Sequence, residues 1–375
     1  MNMEWKFLEN FGGYMIDYKI GCNFDEQLID KIADLNEKYK DSARCFEFFG
    51  SDRAHAYLAA RPDFRLPDID KSQLETYVKK SYDKGIMFNY TANTVFPGTK
   101  QELEFKKQEI IDYFKYLEDI GVYRITVSNP ITLEFLREAS KTMRVELSTT
   151  LHIDAVTQIK YYKEMYNIDK VCGSLLKNRS VKFLKNAAEY CNSNGIIYEL
   201  MVNEFCGTGG DNYMAPCIYR DACYLCHATN HTKEDAESLN GFPMKYCMSS
   251  REINQAQNWL RTRFVRPEDI KRYAEIGIKS FKITGRTGST EYIVKMAEAY
   301  LREKFNGNLL ELWKPLQTIY SGESEVDYKH EQTIDNSKLD DFLNHWFKNP
   351  EFDCANEECG KTCKYCEEYV IRKQL

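Results

Sequence analysis

The chain has 375 residues, 13 of them cysteine, and a formal net charge of −6. That length suits one large α/β domain with an appended segment, and the acidic balance without a long basic block disfavours an extended nucleic-acid surface while leaving room for a local basic pocket. No apolar run approaches the roughly 18 residues of a membrane span, and the start, MNMEWKFLENFGGYMIDYKIG, lacks the basic-then-apolar order of a signal peptide. The expectation is a cytoplasmic protein of a reducing, anaerobic setting. There, clustered cysteines read as metal ligands, with secreted disulfides as the alternative.

Short apolar runs alternate with amphipathic segments along the chain. Strands are expected at 14–22, 43–50, 86–93, 122–128, 143–150, 169–174, 196–203 and 279–284. Between them DEQLIDKIADLNEKY, SQLETYVKKSYDKG, QELEFKKQEIIDYFKYLEDIG and NRSVKFLKNAAEYCNSNG carry helical periodicity, the last three ending in the glycine that commonly caps a helix. STEYIVKMAEAYLREKF follows the eighth strand as another helix. Eight strand–helix units in about 300 residues predict a (β/α)8 barrel, TIM-like, over 10–305. A doubly wound open sheet is the competing architecture, but no glycine-rich phosphate turn follows an early strand.

One connection is out of proportion. The stretch 204–266, about 60 residues after the seventh strand, is long enough to read as functional and would emerge at the C-terminal face, where barrels place active sites. It holds Cys206, Cys217, Cys223, Cys226 and Cys247. Four converging thiolates suit an iron–sulfur cluster, with Cys206 as anchor at the strand end and GTGG permitting tight turns. Zinc competes, through Cys223-x2-Cys226 with His227 or His231. Beyond 305 the pattern loosens into a polar stretch, TIYSGESEVDYKHEQTIDNSK, and a short amphipathic helix, LDDFLNHWFKN. The extension 306–375 closes on Cys354-x4-Cys359-x3-Cys363-x2-Cys366, a compact four-ligand motif that fits a second cluster or a structural zinc equally well. It could also lend one ligand to the central site. Cys22, Cys45, Cys172 and Cys191 are expected to be buried small hydrophobes.

The segments LMVNEFC, FVRPEDIKRYAEIGIKSFKITGR and LSTT resemble the collagenase-like peptidase (U-32) family over 10–305. The nearest subgroup has an Asn-Glu-x-Cys…Cys run ahead of an Arg-Pro-Glu-Asp motif, matched by Asn203, Glu204, Cys206, Cys217 and Arg220, then Arg266, Pro267, Glu268 and Asp269. Ile218 stands where proline is usual, and Thr284 replaces the family's glutamate. Cys247 matches an expected ligand, but Ser249, Ser250 and Arg251 occupy the place of its companion, so Cys223 or Cys226 would supply the fourth thiolate.

Members of that subgroup carry a [4Fe–4S] cluster and support oxygen-independent hydroxylation, with prephenate implicated as oxygen donor; some act as heterodimers of two family members. The resemblance therefore implies an iron–sulfur hydroxylase-like enzyme acting on a small-molecule, RNA or peptide substrate. A metal-dependent peptidase and a non-catalytic partner subunit are the alternatives. Polar residues expected at the mouth are Glu47, Asn89, Asn93, Ser128, Ser148, Thr149, His152, Glu204, Lys282 and Arg286. Among them Lys282 and Arg286 suit the carboxylates of a prephenate-like donor, and His152 suits general acid–base work.

Overall fold

Each expected strand forms, trimmed by a residue or more at most ends: β1 Ile16–Gly21, β2 Ala43–Gly50, β3 Met87–Ala92, β4 Arg124–Val127, β5 Arg144–Leu147, β6 Lys170–Cys172, β7 Ile197–Met201 and β8 Ser280–Ile283. The computed structural model describes residues 15–204, 220–229, 256–313 and 333–375. The strands are parallel and close in sequence order, with Tyr18 opposite Phe281 and Lys19 opposite Lys282 sealing β8 to β1. That closure excludes the open sheet.

The connecting helices follow from caps and periodicity. They are α1 Glu26–Lys38, α2 Lys71–Asp83, α3 Lys100–Asp119, α4 Pro130–Ala139, α5 Val156–Tyr166 and α6 Val181–Ser193. Asp70 and Thr99 begin α2 and α3 with capping boxes, satisfying backbone donors that would otherwise lack partners. Gly85, Gly121 and Gly195 end the predicted glycine-stopped helices at φ of 75°, 88° and 62°, a region that costs other residues strain. On α1, Leu28, Ile29, Ile32 and Leu35 are buried toward the sheet, each contributing roughly 1.5–3 kcal/mol.

The C-terminal extension packs against the same core. Trp313, Ile334, Leu339, Phe342, Trp346 and Tyr369 join the apolar cluster that lies between the barrel strands and their helices. Within it are the helices Asn344–Phe347 and Tyr365–Lys373. LDDFLNHWFKN is thus only partly helical: Leu339 closes a 3₁₀ segment, Asn336–Leu339, and 340–343 form a turn before the helix begins. No helix among the described residues is long and apolar enough to cross a membrane.

Candidate active site at the barrel mouth

The barrel interior is ionic rather than aliphatic. Lys19 bonds Glu146 and lies 2.7 Å from Glu199; Lys170 lies 2.6 Å from Glu199 and 2.9 Å from Glu47. Arg124 pairs with Glu47 and, at 2.8 Å, with Asp169. Asn89 donates to Glu146 at 2.9 Å and accepts from the Thr126 hydroxyl at 2.7 Å. Burial would push the Glu199 carboxyl up, but Lys170, Lys19 and Lys282 hold it well below the usual carboxylate range. Glu47 and Asn89 therefore do not stand at the mouth, as the sequence suggested. They are fully buried within the barrel, Glu47 held by Arg124 and Lys170 and Asn89 by Glu146 and Thr126.

Glu146, Cys172 and Glu199 offer ligand atoms within 4.8 Å of one another. Both carboxylates are already engaged by lysines, so a dication there would have to displace ammonium partners. Burial pushes the Cys172 thiol up to about 12, which favours its protonated form. The trio reads as part of the ionic core. Cys22, Cys45 and Cys191 are buried as expected.

Two further cations lie on and just after β8 with a different environment. Lys282 is buried on β8 with its ammonium 4.3 Å from the centre of the Phe49 ring. Burial and neighbouring Lys19 push its pKa down to about 8. Arg286 follows β8, donates to the Ser51 hydroxyl at 3.1 Å, and is held well below its ordinary pKa by burial and then by Arg61. Among the described residues neither has a carboxylate within 4.0 Å, though Lys282 feels the charges of Glu146 and Glu199. Gly21 makes room for this arrangement: a Cβ there would meet Arg286 Cβ and its backbone nitrogen at 2.8 Å. Gly285, at φ 122°, turns the chain between the two cations.

Opposite, the β3–β5 ends supply hydroxyls and an amide. Asn93 donates to Ser148 at 3.4 Å, Ser128 bonds Thr150, and Thr149 donates to the Gly173 carbonyl at 2.8 Å. His152 adopts a left-handed conformation at φ 50°, and its ring stacks on Tyr224 at 5.4 Å. Tyr224 belongs to α7, Arg220–Thr229, so this piece of the long β7–β8 connection lies against the C-terminal face, as expected. Glu204 is half-buried just past β7.

On α7, Cys223 and Cys226 are three residues apart and both half-buried, a spacing that places two thiols on one helical face. Cys206, Cys217 and Cys247 lie outside the described residues. Cys354, Cys359, Cys363 and Cys366 are half-buried, and burial raises the thiol pKa of the last three.

Two motifs that carry the family resemblance turn out to hold the molecule together. Asn203 bonds the Thr284 backbone nitrogen at 2.7 Å and the Leu312 carbonyl at 3.0 Å, tying the ends of β7 and β8 to the extension. Arg266 bonds Asp269 at 2.7 Å and the Asn336 carbonyl at 2.9 Å. Sequence reasoning missed Arg61, Lys19, Arg124, Glu146, Lys170 and Glu199. The signal was a single inward charge in nearly every apolar strand.

No family model matches the chain. Among curated proteins it is similar to an uncharacterized protease, MJ1657, of Methanocaldococcus jannaschii, 25% identical over 348 residues and spanning 91% of each chain. Among solved structures it is similar to the U32 peptidase Mk0906, with 12% identity, a TM-score of 0.46, and coverage of 74% of this chain and 95% of that one. A conserved Enterococcus faecalis protein of unknown function matches with 12% identity, a TM-score of 0.36, and coverage of 77% of this chain and 65% of that one.

Proposed function

We propose that this chain is an iron–sulfur-dependent enzyme that binds a small carboxylate-bearing molecule in its C-terminal mouth. Its reaction would be oxygen-independent hydroxylation, or a related modification, of an organic, RNA or peptide substrate. The observation that carries the reading is the pair Lys282 and Arg286, buried on and just after β8 with no carboxylate within 4.0 Å among the described residues. Buried cations are costly unless something anionic meets them, and a ligand carboxylate would supply that charge.

In this reading Arg286, already oriented by Ser51, holds the carboxylate through its planar fork. Lys282, with its pKa near 8, can keep or release a proton at its Nζ near neutral pH. Asn93, Ser148 and Thr149 orient the other side of the ligand, and His152, stacked on Tyr224, would be the proton-handling group nearest the long connection. Cys223 and Cys226, with Cys206, Cys217 and Cys247 as further candidates, would hold the cluster at this face, with Glu204 alongside. When bound, such a cluster supplies one-electron chemistry at thiolate-ligated iron. A cytoplasmic location and a second family member as partner belong to the same reading.

The protease name of the archaeal relative favours a second reading, peptide-bond hydrolysis at the same mouth. Anaerobically purified full-length protein separates the two. The hydroxylase reading expects bound iron and sulfide, and binding of a prephenate-like dicarboxylate that weakens about 10- to 100-fold in Arg286→Ala, as loss of a charge-assisted contact predicts. Peptide cleavage that disappears in Cys226→Ser, with no dicarboxylate binding, would replace it by the peptidase reading.

A further inference from the structure

We infer that Lys282 is a nucleophile that forms an imine with a 2-oxo acid whose carboxylate is held by Arg286. The inference rests on the carboxylate site proposed at the mouth, and it names the class of molecule that occupies that site.

The first observation is what separates Lys282 from the other lysines of the barrel interior. Lys19 lies 2.7 Å from Glu199, and Lys170 lies 2.6 Å from Glu199 and 2.9 Å from Glu47. An ammonium held so closely by carboxylates keeps its proton and has no lone pair to offer. Lys282 is buried as they are, yet among the described residues no carboxylate comes within 4.0 Å of it. Its nitrogen lies instead 4.3 Å from the centre of the Phe49 ring. Desolvation against apolar surface, with other cations near, is how an enzyme makes a lysine nucleophilic. In keeping with this, burial and then Lys19 bring its pKa down to about 8, against the more distant charges of Glu146 and Glu199.

The second observation is position. Phe49 is the penultimate residue of β2, and Lys282 pairs in register with Met201, the last residue of β7. The amine therefore stands at the C-terminal end of the barrel, where a ligand enters. Arg286 is anchored close by. Its Nη1 donates to the Ser51 hydroxyl at 3.1 Å, and Ser51 follows directly on β2, two residues beyond Phe49. Two residues of extended chain place their side chains on one face, about 6.5 Å apart. Amine and guanidinium are thus anchored at neighbouring points along one line.

That separation selects the ligand. A charge-assisted bond takes up about 2.8 Å at the guanidinium, and a productive attack distance about 3–3.5 Å at the amine. Little length remains between them, so the electrophilic carbon must be bonded directly to the carboxylate. A 2-oxo acid has that arrangement. The step needs no further reagent: neutral Nζ attacks the carbonyl carbon, the π pair moves to oxygen, and both amine hydrogens leave with that oxygen as water. Amine and carbonyl become imine and water.

Reductive trapping tests the inference. Full-length chain is incubated with pyruvate, reduced with borohydride, digested and mapped by mass spectrometry. The expected result is one reduced pyruvate adduct per chain, at Lys282. It should be absent from Lys282→Met and from Lys282→Arg, which keeps the charge without the nucleophile, both with native circular dichroism. Arg286→Met should raise the pyruvate concentration for half-labelling about 10- to 100-fold, as loss of a charge-assisted contact predicts. Succinate, which has carboxylates and no oxo group, should compete with the labelling. No adduct at Lys282, or equal labelling of lysines over the whole surface, would overturn the imine. Should succinate still bind in that case, the carboxylate site stands without the imine; should neither acid bind, the site itself falls as well.

Discussion

Lys282 shows how much one buried charge can reveal. Its ammonium lies over the Phe49 ring, with Lys19 nearby and no carboxylate within 4.0 Å among the described residues. In the unfolded chain it titrates near 10.5, and in the fold near 8. Between those values the unfolded chain binds the extra proton, so this residue's contribution to stability rises with pH across that window and is most unfavourable below it. Lys282→Met is therefore expected to be more stable than the native chain at pH 7, by on the order of a few kcal/mol, with the gap closing toward pH 10.5. Urea unfolding of both proteins at several pH values reads this directly; a gap that stays constant with pH would refute it. The same titration bears on function. Binding of a dicarboxylate should weaken as pH rises through about 8 in the native chain, and calorimetry should find that dependence flattened in Lys282→Met. Gly21 offers an independent probe, since its Cβ would collide with Arg286 at both Cβ and backbone nitrogen. Gly21→Ala should displace Arg286 and weaken dicarboxylate binding by about tenfold or more, as expected when one charge-assisted bond is lost.

At the level of strands, the barrel depends on charges that match each other across the interior. Glu199 receives Lys19 and Lys170, and removing its charge leaves both lysines undercompensated. Glu199→Gln should cost roughly 3–5 kcal/mol, the usual penalty for breaking a buried pair, measurable as a lower urea midpoint at pH 7. An unchanged midpoint would mean the lysines find other partners. The strands were legible because β-branched and aromatic runs, bounded by glycine-stopped helices, repeat eight times; 43–50 was matched to the residue. What the charged residues inside those strands do was not legible. Lys19 and Glu146 are 127 positions apart, and Glu47 and Lys170 are 123 apart. Alternation tells which side of a strand a residue faces, but the height it reaches in the barrel depends on the stagger between strands. Glu47 and Asn89 were placed at the mouth for that reason. Lys282 and Arg286 were singled out by their position at and just after the end of the last strand, and both are buried there. The burial of Arg179 gave no signal, since it reads locally as an ordinary residue near a helix start.

The whole molecule departs from the picture of a barrel with a loosely attached tail. Arg266, from the Arg-Pro-Glu-Asp motif, bonds Asp269 and the Asn336 carbonyl, while Glu268 accepts from the Phe305 backbone nitrogen and, at 2.9 Å, from the Asn336 amide. Arg261 pairs with Glu367 at 2.5 Å and Lys177 with Asp353 at 3.2 Å, so the extension is fastened to loops at the C-terminal rim of β6 and before β8. Its aromatic residues belong to the same core as the barrel helices. A segment fastened by buried polar contacts and shared apolar surface should not unfold on its own. Trp259, Trp313 and Trp346 report on this region through fluorescence, whereas far-UV circular dichroism reports mainly on the barrel. The two probes should give coincident urea transitions in the native chain, and Arg266→Met should shift both to lower urea together, by an amount equivalent to about 3–5 kcal/mol for a broken buried ion pair. Fluorescence that changed well before the dichroism would instead identify the extension as a separate folding unit. In that case the Arg-Pro-Glu-Asp motif would join two domains, and removing the tail would leave the barrel intact.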